Sequence, residues 1–208
     1  MDVEMVCWDF DGPVVQSDHF THGLRQKQYA GLDFETYIDW HNRGNFFDEL
    51  DRSGLPLTDK SFNYDAEYTR GITRIEPFAG VPGVMKEIHR LGLTQSVISG
   101  NHGGAIAVYL MRYGLLDYFP VVLGSDHHKS KVVKFNTLME NYELTADHIV
   151  YVTDTVGDLV ELRGLVRCIA VTYGFCSEDV LRAANPAKLI SSPGELMQAI
   201  QELQVELA

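Results

Sequence analysis

Two aspartates stand two places apart in the run Met5-Val6-Cys7-Trp8-Asp9-Phe10-Asp11-Gly12, at the top of an apolar ascent. Side chains at i and i+2 leave an extended strand on the same side. At the C-terminal end of a strand, two such carboxylates can meet one substrate and one hard cation. The chemistry that suits them is a carboxylate nucleophile beside an acid/base partner.

Three further signals follow along the chain. Ser99-Gly100-Asn101 closes an apolar run, Lys129-Ser130-Lys131 opens an amphipathic stretch, and Asp154-Thr155-Val156-Gly157-Asp158 follows the apolar residues 149–152. Asp154 and Asp158 are one helical turn apart and share a face. Each signal alone has a plainer reading. Asp9 caps a turn, Ser99-Gly100 is a turn, Asp158 and the lysines are solvated helix residues.

Short apolar runs alternating with amphipathic stretches must position these groups. Strands are expected over 94–99, 121–123, 149–152, 168–171 and 188–190, and helices over 83–91, 103–113, 131–141 and 156–165, with a last helix from Pro193. Ser130 is the expected N-cap of the helix at 131. This alternation argues for an α/β fold whose parallel sheet is covered on both faces. Residues 16–77 break the pattern, being aromatic, charged and poor in β-branched runs, with helices expected over 21–29, 34–40, 46–50 and 62–73. We therefore expect a core of residues 1–15 and 78–208 and a helical cap subdomain of 16–77, placed over the sheet edge where α/β folds bind ligands.

The 208 residues suffice for one sizeable core with an insert, and 45% hydrophobic with 22% charged residues describes a soluble globular chain. A formal net charge of -12 attracts neither nucleic acid nor an anionic membrane. An anionic substrate then needs local positive charge from a metal or a lysine. Cys7, Cys168 and Cys176 are odd in number and lack metal-ligand spacing, which points to reduced, structural thiols. Asp2, Glu4 and Asp9 interrupt any apolar leader, and no run is long enough to span a bilayer, so the cytoplasm is the expected compartment.

In order and spacing, the four signals resemble the haloacid dehalogenase (HAD) superfamily, especially its helical-cap branch of phosphoglycolate phosphatase-like and β-phosphoglucomutase-like enzymes. The resemblance covers nearly the whole chain. It implies a three-layer Rossmann-like core and a Mg²⁺-dependent phosphatase acting on a small phosphorylated metabolite through an aspartyl-phosphate. It implies Asp9 as nucleophile, Asp11 as acid/base, Ser99 with Gly100 and Asn101 on the phosphoryl group, and Lys131 neutralising charge. Asp9, the carbonyl of Asp11, Asp154 and Asp158 are the implied metal set, Asp158 holding either the metal's waters or the lysine. Lys129 remains an alternative to Lys131. A phosphomutase sharing the same intermediate and a non-catalytic phosphate-binding protein are the alternative functions, and the assembly is expected to be a monomer or homodimer.

The chain departs from that pattern at Pro13, Gln16 and Thr153, which stand where threonine, a carboxylate and glycine are usual. The acid at Asp11 argues against dehalogenation. In the insert, the stretch from His41 to Asn45 resembles the specificity loop of capped phosphatases. Arg43 is either a leaving-group contact through its planar fork or a solvated turn residue. His127, His128 and His19 are expected to be solvated.

Overall fold

The structure is a computed structural model, and it describes residues 3–205. The chain runs β1 (Met5–Trp8), α1 (Asp18–Gln28), α2 (Phe34–Arg43), α3 (Phe46–Ser53), α4 (Tyr64–Ile72), α5 (Val81–Arg90), β2 (Thr94–Ile98), α6 (Gly103–Arg112) and β3 (Val121–Leu123). It continues through α7 (Lys131–Tyr142), β4 (Ile149–Thr153), α8 (Val156–Glu161), β5 (Arg167–Val171), α9 (Glu178–Ala183), β6 (Lys188–Ile190) and α10 (Leu196–Val205).

Among the described residues the strands form one six-stranded sheet in the order β3-β2-β1-β4-β5-β6. All pairings are parallel, and Met5 pairs with both Thr94 and Ile149. β1 is fully buried, as a strand covered on both faces must be. Val6 and Trp8 face one apolar cluster, while Met5 and Cys7 face the other. The chain leaves β1 toward β2 and β3, then returns to β4 on its other flank. This reversal opens the crevice at the carboxyl ends of β1 and β4, where α/β sheets bind ligands.

The insert between β1 and α5 carries four helices among the described residues. Asp33, Asn45 and Asn63 cap α2, α3 and α4 by accepting from the amides of Thr36, Phe47 and Ala66. The first two caps stand just before the starts expected at 34 and 46, and the third sets the start of α4 at Tyr64 in place of 62. Leu32, Tyr37, Trp40, Phe46 and Leu50 form the insert's own small core.

α1 starts at Asp18 and not at 21, α2 and α3 run on to Arg43 and Ser53 past the expected 40 and 50, and three later elements also depart from expectation. α8 stops at Glu161, because the chain turns through Gly164 at φ 76° to enter β5. α9 is too short to show helical periodicity in the sequence. The last helix begins as a tight 3₁₀ turn over Pro193–Glu195 before α10. All three cysteines are buried and free. No helix among the described residues is long and apolar enough to cross a membrane.

Candidate active site

Asp9 follows β1 directly and faces a buried lysine. Lys131 Nζ, from the first turn of α7, donates to Asp9 Oδ2 at 2.8 Å, Asp158 Oδ2 at 2.6 Å and Tyr151 Oη at 2.7 Å. Thr153 Oγ1 donates to the same Asp158 oxygen at 2.5 Å. Burial pushes the Asp9 carboxyl up, and the Lys131 ammonium works against it. Burial also opposes ionisation of Asp158, but there the ammonium wins and holds the group below the usual carboxylate range. Asp158 is thus the lysine's fixed counter-ion, and Asp9 is the more proton-hungry of the two acids.

Asp11 lies in different surroundings. Ser17 Oγ donates to its Oδ1 at 2.5 Å, and Tyr68 Oη and Asn101 Nδ2 donate to its Oδ2 at 2.7 Å and 2.6 Å. Burial raises its pKa, with the three neutral donors and the more distant Lys131 opposing. Two of these donors, Ser17 and Tyr68, belong to the segment 16–77. Ser99 follows β2; its Oγ accepts from the Asn101 amide at 3.0 Å, and Gly100 lies between them in the same turn. A second buried lysine, Lys134, donates to the Ser99 carbonyl.

Asp154 follows β4 and is fully buried. Its Oδ2 accepts from the Phe175 amide at 2.7 Å, while its Oδ1 has no hydrogen-bond partner. Burial and then Asp9 raise its pKa well above the ordinary value. A Cβ on Gly12, which sits at φ 101°, or on Gly174 would fall inside this carboxylate. Both positions therefore require glycine, because the backbone closes around Asp154 from two sides. The Gly12 loop also explains Pro13. Its bonds use the amides of Gly12, Val14 and Val15, so the missing N–H at 13 costs none of them.

Among the described residues no three His, Cys, Asp or Glu side chains gather into a self-sufficient metal cluster. Mg²⁺ needs less than that, since it keeps several waters and takes one or two carboxylates plus phosphate oxygens. The buried, unpartnered Oδ1 of Asp154 within electrostatic reach of Asp9 fits such an ion. Asp158 fits it less well, its Oδ2 being occupied by Lys131, Thr153 and Tyr151.

Lys131 is set in place by a residue the sequence did not flag. Ser130 occupies the N-cap of α7, but its hydroxyl makes no cap bond and instead donates to Glu161 Oε1 at 2.9 Å. That same carboxylate oxygen, from the end of α8, accepts from the amides of Lys131 at 2.9 Å and Val132 at 3.4 Å. The expected serine cap is therefore replaced by a tertiary one, favourable because an anion at a helix N-terminus meets unpaired amides. Lys129 and His127 are exposed, as is His128, whose Nδ1 accepts from the Ser130 amide. His19 is exposed and stacks on Phe34 at 4.1 Å. Arg43 ends α2 with its guanidinium 2.6 Å from Asp39, and its side chain is 61% exposed. The following residues, Gly44 and Asn45, pack against Gly157 at the start of α8.

A Rossmann-like α/β sheet with carboxylates at the ends of adjacent strands, a buried lysine between them and a helical insert defines the architectural class. Residues 6–161 match the family of haloacid dehalogenase-like hydrolases, and the chain belongs to that family. It is 30% identical over 131 residues to a phosphoglycolate phosphatase of Synechococcus elongatus, covering 62% of this chain and 61% of that protein. It is 29% identical over 138 residues to a 5'-nucleotidase of Pseudomonas aeruginosa, covering 63% and 61%. The matches thus span under two thirds of these relatives. Among solved structures, a predicted phosphatase from Clostridium acetobutylicum superposes with a TM-score of 0.79 at 17% identity, covering 97% of this chain and 100% of that one. CbbY from Rhodobacter sphaeroides, solved with phosphate, gives 0.77 at 16% identity, covering 96% and 99%. At these identities the likeness is one of fold.

Proposed function

We propose that this chain is a Mg²⁺-dependent phosphatase that hydrolyses small phosphomonoesters through an aspartyl-phosphate on Asp9. The observation that carries this reading is the contrast between two neighbouring carboxylates. Asp9 touches an ammonium, whereas Asp11 is held by three neutral donors. Carboxylates whose surroundings differ in this way divide into nucleophile and acid/base.

In this reading Asp9 attacks phosphorus, and the Lys131 ammonium offsets the charge gathering on the phosphoryl oxygens. Asp11 gives its proton to the departing oxygen, then takes one from the water that cleaves the intermediate. Ser99 and the amides of Gly100 and Asn101 bind the phosphoryl group. A bound Mg²⁺ would supply further positive charge there, held by Asp9, Asp154 and the Asp11 carbonyl. Asp158 serves by fixing Lys131.

Residues 16–77 act as a cap over residues 1–15 and 78–208, of which 1, 2 and 206–208 lie outside the described residues. Tyr68 and Ser17 reach from the cap to Asp11, and the ring of Phe175 enters the cap's small core. Such a lid excludes water and favours small substrates. Buried free thiols agree with a reducing compartment such as the cytoplasm.

The test is phosphate release from a panel of phosphorylated metabolites, with Mg²⁺ and after chelation. Turnover of small phosphomonoesters that chelation abolishes is expected. No release above background from any member, or full activity without metal, overturns the proposal.

A further inference from the structure

A short segment between β5 and α9 closes on Asp154. The Phe175 amide donates to its Oδ2 at 2.7 Å, the one hydrogen bond its side chain makes among the described residues. The Cys176 amide donates to the Asp154 carbonyl at 3.3 Å, and a Cβ on Gly174 would fall inside the carboxylate. An N–H on Oδ2 fixes the plane of the carboxylate and leaves Oδ1 free. Hydrogen bonds of this kind orient the ligands of metal sites.

The same segment is fastened to the insert. The ring of Phe175 packs against the insert's apolar core, its centroid 5.1 Å from that of His41 and 6.3 Å from that of Tyr37. Cys176 Sγ donates to the His41 carbonyl at 3.1 Å, and the Ser177 amide donates to Asn42 Oδ1 at 2.9 Å. Asn42 is itself oriented by its Nδ2, which donates to the Ile38 carbonyl at 3.1 Å. Tyr37, His41 and Asn42 all belong to α2.

One residue therefore holds the carboxylate with its amide and the insert with its ring. If the insert moves off the sheet, two outcomes are open to Phe175. The ring stays behind and meets water, which apolar surface resists, or it follows the insert and draws the amide from Asp154. A closed insert and a fixed Asp154 thus favour each other. A cation that needs Asp154 in place binds the closed arrangement better, and such a differential affinity acts in both directions.

We propose that Phe175 is a positioning residue that couples α2 of the insert to the Mg²⁺ affinity of Asp154, so that cation binding and closure of the cap reinforce each other. This deepens the phosphatase reading and rests on its assignment of the cation to Asp154. Phe175 acts through that carboxylate and not on the substrate. The insert thus reaches the site twice, through Ser17 and Tyr68 at Asp11 and through Phe175 at Asp154.

The test measures the Kd of Mg²⁺ by titration calorimetry and hydrogen exchange across α2 by mass spectrometry, without Mg²⁺ and with the site saturated. The proteins are wild type, Phe175→Ala, Phe175→Leu and Asn42→Ala. Phe175→Ala should weaken Mg²⁺ binding about tenfold, the low end for a group supporting a metal ligand. Phe175→Leu, which keeps an apolar anchor, should weaken it less. Mg²⁺ should slow exchange across α2 in the wild type, and that slowing should shrink in Phe175→Ala. An unchanged Kd in Phe175→Ala, or no slowing in the wild type, overturns the coupling. A weaker Kd with the slowing intact also overturns it, because Asp154 is then disturbed without the cap. The expected coupling with no turnover of any phosphomonoester upholds the inference and overturns the phosphatase reading. Turnover that chelation abolishes, with an unchanged Kd in Phe175→Ala, overturns the inference alone. No Mg²⁺ binding by the wild type overturns the metal assignment and the coupling with it. Should Phe175→Ala not fold, a wild-type Kd in both Phe175→Leu and Asn42→Ala overturns the coupling.

Discussion

The hydroxyl of Tyr68, on the last helix of the inserted segment, donates to Oδ2 of Asp11 at 2.7 Å. A side chain from the insert thereby sets the proton affinity of the group proposed to protonate the leaving oxygen. Burial raises the Asp11 pKa and the hydrogen bonds, that of Tyr68 among them, lower it. Removing a donor to the charged form raises it further. In Tyr68→Phe the limb of the pH profile that belongs to Asp11 should move to higher pH. The measurement is log kcat/KM against pH for both proteins; an unmoved limb would show that Tyr68 does not tune this acid.

Asp9→Asn should lower phosphate release by three orders of magnitude or more, because an amide is a poor nucleophile. The fold should survive, since Lys131 keeps Asp158 at 2.6 Å and Tyr151 at 2.7 Å. Turnover and a thermal melt on one preparation check both halves. Near-native turnover refutes the nucleophile.

Asp154→Asn should separate metal binding from folding. Its amide oxygen can still accept from the Phe175 amide, while an NH₂ takes the place of the unpartnered Oδ1 and offers a cation nothing. Wild type should gain unfolding free energy with Mg²⁺, on the order of 2.7 kcal/mol at a hundred times Kd, read as a rise in Tm, and the variant much less. The sign with pH follows from Asp9 and Asp154, both raised in the folded state by burial. Without metal, stability from these groups is present below the unfolded carboxylate pKa and is lost as pH rises through the folded values. The cation binds the ionised forms, so its stabilisation should be larger at high pH than at low. Equal Mg²⁺ shifts for both proteins would place the metal elsewhere.

Lys134 offers a test in the alkaline range. Burial lowers its ammonium from 10.5 to about 8. Between those values the unfolded chain holds a proton that the folded chain has shed, so the group's penalty is full below about 8 and fades as pH rises. Lys134→Met should abolish that rise in urea-unfolding free energy. It should also slow turnover several-fold, because the Ser99 carbonyl loses its donor. A variant with the wild-type slope would show that burial does not lower the pKa of this lysine in the folded protein.

The strand ends were legible because chemistry and periodicity coincide there. Asp9, Ser99 and Asp154 each close an apolar run that the sheet buries, and the strand at Val121–Leu123 has the bounds expected from sequence. Lys131 separated from Lys129 only in three dimensions, through a carboxylate cap at Glu161 thirty residues away. No local rule reports a cap supplied by another helix. The same holds for Tyr68, 57 residues from Asp11, and for Phe175, whose amide reaches Asp154 across 21 residues. Lys134 carried a readable signal, since it lies one turn from Lys131 on the same helix face. Its apolar surroundings did not. Thr153 was read as a departure from pattern, whereas its hydroxyl holds Asp158.

β1 occupies the middle of the sheet, yet it is the first of the described strands in chain order, and its partners begin only at Thr94 and Ile149. A nascent chain must therefore carry an apolar strand with both edges bare until much of the sequence has emerged, a state prone to wrong pairing. Glu4 stands at one end of that strand and Asp9 and Asp11 at the other. Charges flanking a hydrophobic segment act as gatekeepers against self-association. The carboxylates proposed to serve the finished enzyme also stand where gatekeepers of the unfinished chain would, so neutralising them should carry a cost in synthesis before any cost in turnover.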